Sequence, residues 1–450
     1  MEGGSNLSAW EKVLRSRARL ITRTLLIQDP FLTVRKKLQM ASPVTLDSTQ
    51  PSRQPHPLRD PQFRMLWIGS AISLLGDQFY LVALPWVILQ LTGSALAMGT
   101  IMMLAAVPRA VLMLFGGVVS DRFSPRRILI STSCARTVFV AAISVLVWFH
   151  VLAIWHLYLL AFAFGTADAF ATPAASTYLP FLVKKDQLVA ANSLLQSTAQ
   201  LTTISAPAPA GLVVKAFGAA WAFTADAISF LAIIAALWKL PDPPPQALVA
   251  KRPNMWRSIM EGFGHVYKDL PLRSLTLLVA VMNFCISGPM NVGLAYLTKQ
   301  KFGSPAAFGV AMSALAAGGL LGSLLAGIWK PRRRGVLMLS VCVVLAFCIG
   351  SIGLVQVLWA LAGVLLLMGM SAAVANIHII SWIQQRIEPA IMGRVMSVLM
   401  FFSLGLMPLS LAITGFALQW SLVGTFLIAG SALFLVTITG ALQPSVRQIE

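Results

Sequence analysis

An all-α membrane protein, with twelve transmembrane helices in two six-helix pseudo-symmetric bundles, is the fold class the sequence predicts. Three observations predict it. First, 57% of the 450 residues are hydrophobic and 11% charged, with a mean hydropathy of +0.79, whereas a soluble domain carries roughly 25% charged residues. Second, apolar runs near the ~20 residues that a helix needs to cross ~30 Å of hydrocarbon recur along the chain. Third, the longest connection between those runs divides them six and six.

The runs cover 66–91, 96–119, 128–150, 154–180, 188–214, 219–240, 274–298, 306–329, 335–356, 358–384, 392–419 and 421–442. Taken in order, span one carries Ser70, Ser73, Asp77 and Tyr80 on one helical face. Span two holds Arg109 near its middle and ends in a basic turn. Span three holds Arg136 a little inside its inner end, from where the side chain is expected to snorkel. Span four repeats Asp168, Thr172 and Ser176, and span five repeats Asn192, Gln196, Gln200 and Thr203. Span six has Asp226 nearer its outer end, read as a packing residue. Span seven repeats Asn283, Ser287 and Asn291, and span eight sets Ala314, Gly318, Gly322 and Ala326 four apart, a close helix-packing face. Span ten carries Ser371, His378, Trp382 and Gln385, while spans nine and twelve have no polar stripe.

The chain has 34 Lys and Arg against 15 Asp and Glu. A charge of +19 raises nucleic-acid binding, but the basic residues lie in short connections and form no aromatic-interleaved patch, so no nucleic acid is expected. With both termini cytoplasmic, 29 of the 34 fall on the inner side, and outer loops hold Lys215, Lys299 and Lys301. That asymmetry predicts a multi-pass protein of the bacterial cytoplasmic membrane with both ends inside. Cys134, Cys285, Cys342 and Cys348 lie inside apolar runs with no Cys-x-x-Cys spacing and read as small hydrophobes.

Four regions follow. Residues 1–60 form a cytoplasmic N-terminal extension, 61–241 the first bundle, 242–273 a linker, and 274–450 the second bundle with a short tail. In the extension Trp10, Leu14, Ala18, Ile21 and Leu25 form a stripe among basic residues, fit for a helix on anionic lipid. A disordered tail, or translation starting at Met40 or Met65, accounts for it equally well. No apolar core of a secretory signal precedes residue 60. The linker opens rich in proline, then spaces Trp256, Ile259, Met260, Phe263, Val266, Tyr267 and Leu270 as an amphipathic helix on the inner membrane face or against the bundle.

Between spans two and three, "GGVVSDRFSPRRILI" combines Gly117, Asp121, Arg122, Arg126 and Arg127, and a basic turn recurs after span eight in "LGSLLAGIWKPRRRGVL", where Ala326 aligns with Asp121. With twelve spans split six and six, this pattern resembles the major facilitator superfamily over roughly 58–442. "LRDPQFRMLWIG", "LLGDQFYLVALPW" and "MGRVMSV" are similar to its drug-exporter branch, which includes macrolide and siderophore efflux proteins. Ser124 stands where the signature usually has glycine. "ISAPAPAGLVV" in span five is similar to the antiporter motif, with Pro207 and Gly211 matching and Ala206 and Ala210 replacing glycines. Prolines that simply kink this helix are an equal explanation.

The resemblance implies a cavity lined by spans one, four, seven and ten, and a cytoplasmic latch in which Asp121 reaches Arg394 and the helix start of span eleven. Ionisable residues at membrane depth need a partner, a wet cavity or a function. Asp77, Arg109 and Asp168 are therefore the candidates for proton coupling, with Asn283 and His378 in the same cavity. A permanent structural Arg–Asp contact is the alternative for the ionic residues, and interhelical hydrogen bonding for the neutral ones. No phosphate loop, metal-ligand spacing or nucleophile elbow occurs, so neither an enzyme nor a cofactor or metal site is expected. The expected function is export of an amphiphilic small molecule by proton antiport, by a monomer surrounded by lipid. A lysophospholipid flippase or importer of the same fold is the alternative, and a non-transporting scaffold or sensor a further one.

Overall fold

The computed structural model describes residues 57–243, 255–328 and 334–442. The lipid-binding stripe expected before residue 57, the proline-rich start of the linker and the basic turn at 330–333 lie outside them.

Span one, Pro61–Thr92, starts where Asp60 accepts the backbone N–H of Gln62 and Pro61 takes the first helical position, and it stops at Gly93 with φ 64. Span two is Ala95–Arg122, span three Pro125–Trp148, span four Ile154–Leu182 and span six Ala219–Lys239. Span five is not one uninterrupted helix. It runs Leu188–Ser205 and Pro207–Phe217, because Pro207 has no N–H to give. Ala206 stays helical, and the bonds Ala206 N–H to Thr202 and Ala210 N–H to Ala206 carry the ladder through the break.

In the second half, span seven comprises Leu270–Gly288, a π turn at Pro289–Gly293 and Leu294–Phe302. Span eight is Pro305–Ile328, span nine Arg334–Ile352, span ten Leu358–Arg386 and span twelve Leu422–Leu442; span eleven is Pro389–Gly405 followed by Met407–Ala417. Among the described residues, eleven of these rods are long and apolar enough to cross a membrane. The twelfth is span five, whose first segment bears the polar stripe.

The halves repeat one plan. Spans two, three and one of the first half pack on four, six and six, and spans eight, nine and seven of the second pack on ten, twelve and twelve. Glycine permits the tightest of these approaches. Gly165 of span four abuts the Ala105 carbonyl of span two, as Gly369 of span ten abuts the Leu315 carbonyl of span eight. Gly318 and Gly322 press on the backbone of Leu366 and Met370, so the small-residue face of span eight packs on span ten.

The two halves meet most closely at the end opposite the basic turns. A methyl on Gly99 of span two would stand 2.6 Å from the Leu411 carbonyl oxygen of span eleven, and one on Gly211 of span five 2.5 Å from that of Pro305 in span eight. Gly309 lies against Pro207 in turn, Ala208 N–H donates to Ser313 at 3.2 Å, and the Lys299 ammonium donates to the Leu89 carbonyl. The antiporter-like stretch thus lies at a seam between the halves.

At the basic end the linker helix, Met255–Lys268, docks on span eleven: the Phe263 ring is 6.0 Å from Phe401 and 5.7 Å from Phe402, and Val266 is buried. The helix thus rests against the bundle, with Met260 and Tyr267 exposed.

Candidate transport site

Asp168 of span four lies at the middle of the first half, and its carboxylate takes two arginines. Arg109 Nε of span two is 3.0 Å from Oδ2, and Arg136 Nη2 of span three contacts Oδ1. The depth of Arg109 suits either Asp77 or Asp168 as its partner, and the ion pair is made with Asp168. Arg136 is a correction: its side chain is only 16% exposed and does not snorkel. The helix begins at Pro125, so Arg136 is its twelfth residue, about 16 Å along the axis. The guanidinium lies 5.3 Å from the Phe164 ring and 5.8 Å from that of Phe230, cation–π contacts that offset part of its desolvation.

Asp77 of span one lies in the field of both arginines. One residue earlier, Gly76 is the close-approach point to span six: a methyl there would stand 2.7 Å from Asp226 Oδ1. Asp226 is fully buried, beside the charge cluster and not at the lipid-facing periphery. Depth alone did not show this, because span six packs on both spans one and three.

A cavity of about 230 Å³ opens beside the cluster. Tyr80, Leu84, Met102, Phe164, Met407 and Leu411 are among the residues of its wall, Asn291 adds a polar point, and Arg109 and Asp168 its charges. Tyr80 and Phe164 stack at 4.9 Å. Arg109 keeps half its side-chain surface open, which places a charge on the cavity wall at membrane depth.

Other predicted residues are placed differently. Spans one, two, four, seven and eleven wall this cavity; span ten does not. Ser371, His378 and Trp382 are buried, because span ten is packed against span eight. Asn283 is not among the lining residues: its amide donates to the Val279 carbonyl at 3.0 Å and Ser403 at 3.4 Å, while Asn291, two turns on, takes the cavity position.

Arg126 and Arg127 are bonded within the first half. Arg126 donates to the carbonyls of Leu237 and Trp238, both at 2.7 Å, at the end of span six, and Arg127 Nε lies 3.3 Å from Asp242. Ser124 caps span three by accepting the Arg127 N–H and donates to Asp242. Its φ of −56° requires no glycine. Asp242 was not singled out in the sequence, though an acid directly after span six facing a basic turn is a readable signal. Gly117, Asp121 and Arg122 lie on the last turns of span two, with side chains outside the described residues, and Arg394 is half-buried near the start of span eleven.

The geometry joins an intramembrane ionic cluster to an apolar cavity between two repeated six-helix units. Macrolide efflux protein A of Streptococcus pyogenes is 23% identical over 399 residues, covering 86% of this chain and 97% of that protein. The enterobactin exporter EntS of Escherichia coli is 24% identical over 339 residues, covering 74% and 80%. In fold, the solved nucleoside transporter NupG matches at a TM-score of 0.69 and 13% identity over 84% of this chain and 98% of that one. An inward-facing bacterial homologue of the iron transporter ferroportin matches at 0.64 and 16% identity, over 84% and 98%. The family described as transmembrane secretion effector matches residues 53–450. The chain therefore belongs to that family of major facilitator transporters, and it is a multi-pass secondary transporter of the efflux type, not an enzyme.

Proposed function

We propose that the protein exports an amphiphilic small molecule from the cytoplasm by proton antiport, its basic end facing inward in the bacterial cytoplasmic membrane. The observation that carries this reading is Asp168 held between Arg109 and Arg136 at the edge of an apolar, aromatic cavity. Such a wall suits an apolar body, and its few polar groups orient the molecule. The macrolide efflux protein and the enterobactin exporter among its relatives support export as the direction.

Coupling follows from competition for one carboxylate. Ionised Asp168 holds spans two, three and four together through both arginines. A proton on Asp168 removes its charge and frees the guanidinium groups, so the proton-bound and proton-free forms favour different arrangements of the same helices. The glycine seam holds the far end shut, and in this reading the arrangement is the inward-facing one, with substrate entering from the basic end. Rocking of one half against the other then presents the cavity to the outside.

Asp121 serves as the inner latch in the outward-facing state, its carboxylate accepting from Arg394 and from the free N–H groups at the start of span eleven. The deciding test is transport in proteoliposomes with an imposed pH gradient, using radiolabelled erythromycin and a siderophore catecholate. Asp168→Asn is expected to abolish gradient-driven movement. Full gradient-driven transport by both Asp77→Asn and Asp168→Asn overturns proton coupling through these acids, and movement toward the basic end overturns export.

A further inference from the structure

The cluster contains one carboxylate that the coupling scheme leaves unused. Asp226 is 0% exposed, Oδ1 accepts a long 3.4 Å hydrogen bond from Ser229, and Oδ2 has no partner among the described residues. Its neighbours are Asp77 and Tyr80 from span one, Arg136 from span three and Ser229 on its own helix; Lys215, on the packed segment of span five, is exposed. Nε of Arg136 is likewise buried without a partner. That guanidinium lies over Phe230, one turn beyond Asp226 on the same helix.

Arg109 and Arg136 face three acids, Asp77, Asp168 and Asp226, and both arginines are ion-paired with Asp168. Three ionised acids would leave a net negative charge in a setting that stabilises charge poorly. Asp226 is the acid with no exposure and no ion pair among the described residues.

We propose that Asp226 is a second proton-binding site, protonated in the arrangement seen here, and that Arg136 exchanges Asp168 for Asp226 during transport. When a proton binds the Asp168 carboxylate, the Arg136–Asp168 pair breaks and Arg136 turns to Asp226. The Asp226 O–H bond then breaks, and its proton leaves by way of Asp77, so the cluster keeps its proton number and charge. The consequence for transport rests on the antiport reading; the resident proton does not.

The test is infrared spectroscopy of the purified full chain in lipid nanodiscs, titrated with pH. A protonated-carboxyl band is expected at neutral pH in the unmodified protein and is expected to vanish in Asp226→Asn, which has the shape of the protonated acid. Asp226→Glu should retain it at a shifted frequency. In Asp168→Asn, Arg136 is free to pair with Asp226, so proton affinity at Asp226 should fall about tenfold or more. A band absent from the unmodified protein, or unchanged in Asp226→Asn, overturns the site; a titration unmoved by Asp168→Asn overturns the exchange. Should transport prove independent of a pH gradient while the band behaves as expected, the antiport reading falls and the proton site stands.

Discussion

Asp168 gathers charge from two helices that its own sequence neighbourhood gives no hint of joining. Removing its carboxylate strands two guanidinium groups, one of them mostly buried, and breaking such a pair costs about 3–5 kcal/mol. Asp168→Ala should therefore lower stability by about that amount, read as a drop in denaturation midpoint in detergent, and Asp168→Asn by less because the amide oxygen still accepts. Arg136→Lys should restore little, since an ammonium lacks the flat surface that lies against Phe164 and Phe230; gradient-driven transport by Arg136→Lys and Arg136→Gln at equal, low rates would show this. Asp77, Arg109 and Asp168 were legible as intramembrane charges. Arg136 was misjudged because its depth depends on where span three begins, and the capping pair Ser124-Pro125 marks that start three residues before the apolar run.

Among the elements, spans two, five, eight and eleven meet through glycine at one end of the molecule. Contact at backbone distance leaves no room for a side chain, so Gly309→Leu should wedge spans five and eight apart. Spin labels placed on Lys215 and Ser304 should then report a longer distance than in the unmodified protein, and transport should fall because the far end no longer seals. Eleven of the rods are readable from apolar length, and the small-residue spacing of span eight marks its packing stripe. The break at Ala206 was visible only as a proline kink, and the polar faces of spans seven and ten looked alike in the sequence. Which face meets a cavity is decided by packing on spans eight and eleven, and no periodicity within one helix encodes that.

For the molecule as a whole, the two repeats make the same internal pairings, so each half can move as a unit while the seam changes. Asp121→Asn should shift the population toward the inward-facing arrangement, measured as altered labelling of cysteines placed at the two ends, with slower turnover. Unchanged labelling and turnover would remove the latch. The repeat was visible in the sequence as twin basic turns, yet the turn after span two does more than orient the chain. Arg126 and Arg127 hold the end of span six through carbonyls and Asp242.

That fastening has a mechanical result. The connecting chain leaves the first half at a point pinned to span three, and the helix at its other end is pinned to span eleven through Phe263. Between Pro243 and Met255 lie twelve peptide steps, which reach about 40 Å when fully drawn out. The connection is thus a leash with both knots tied, and its length sets an upper limit on how wide the basic end can gape.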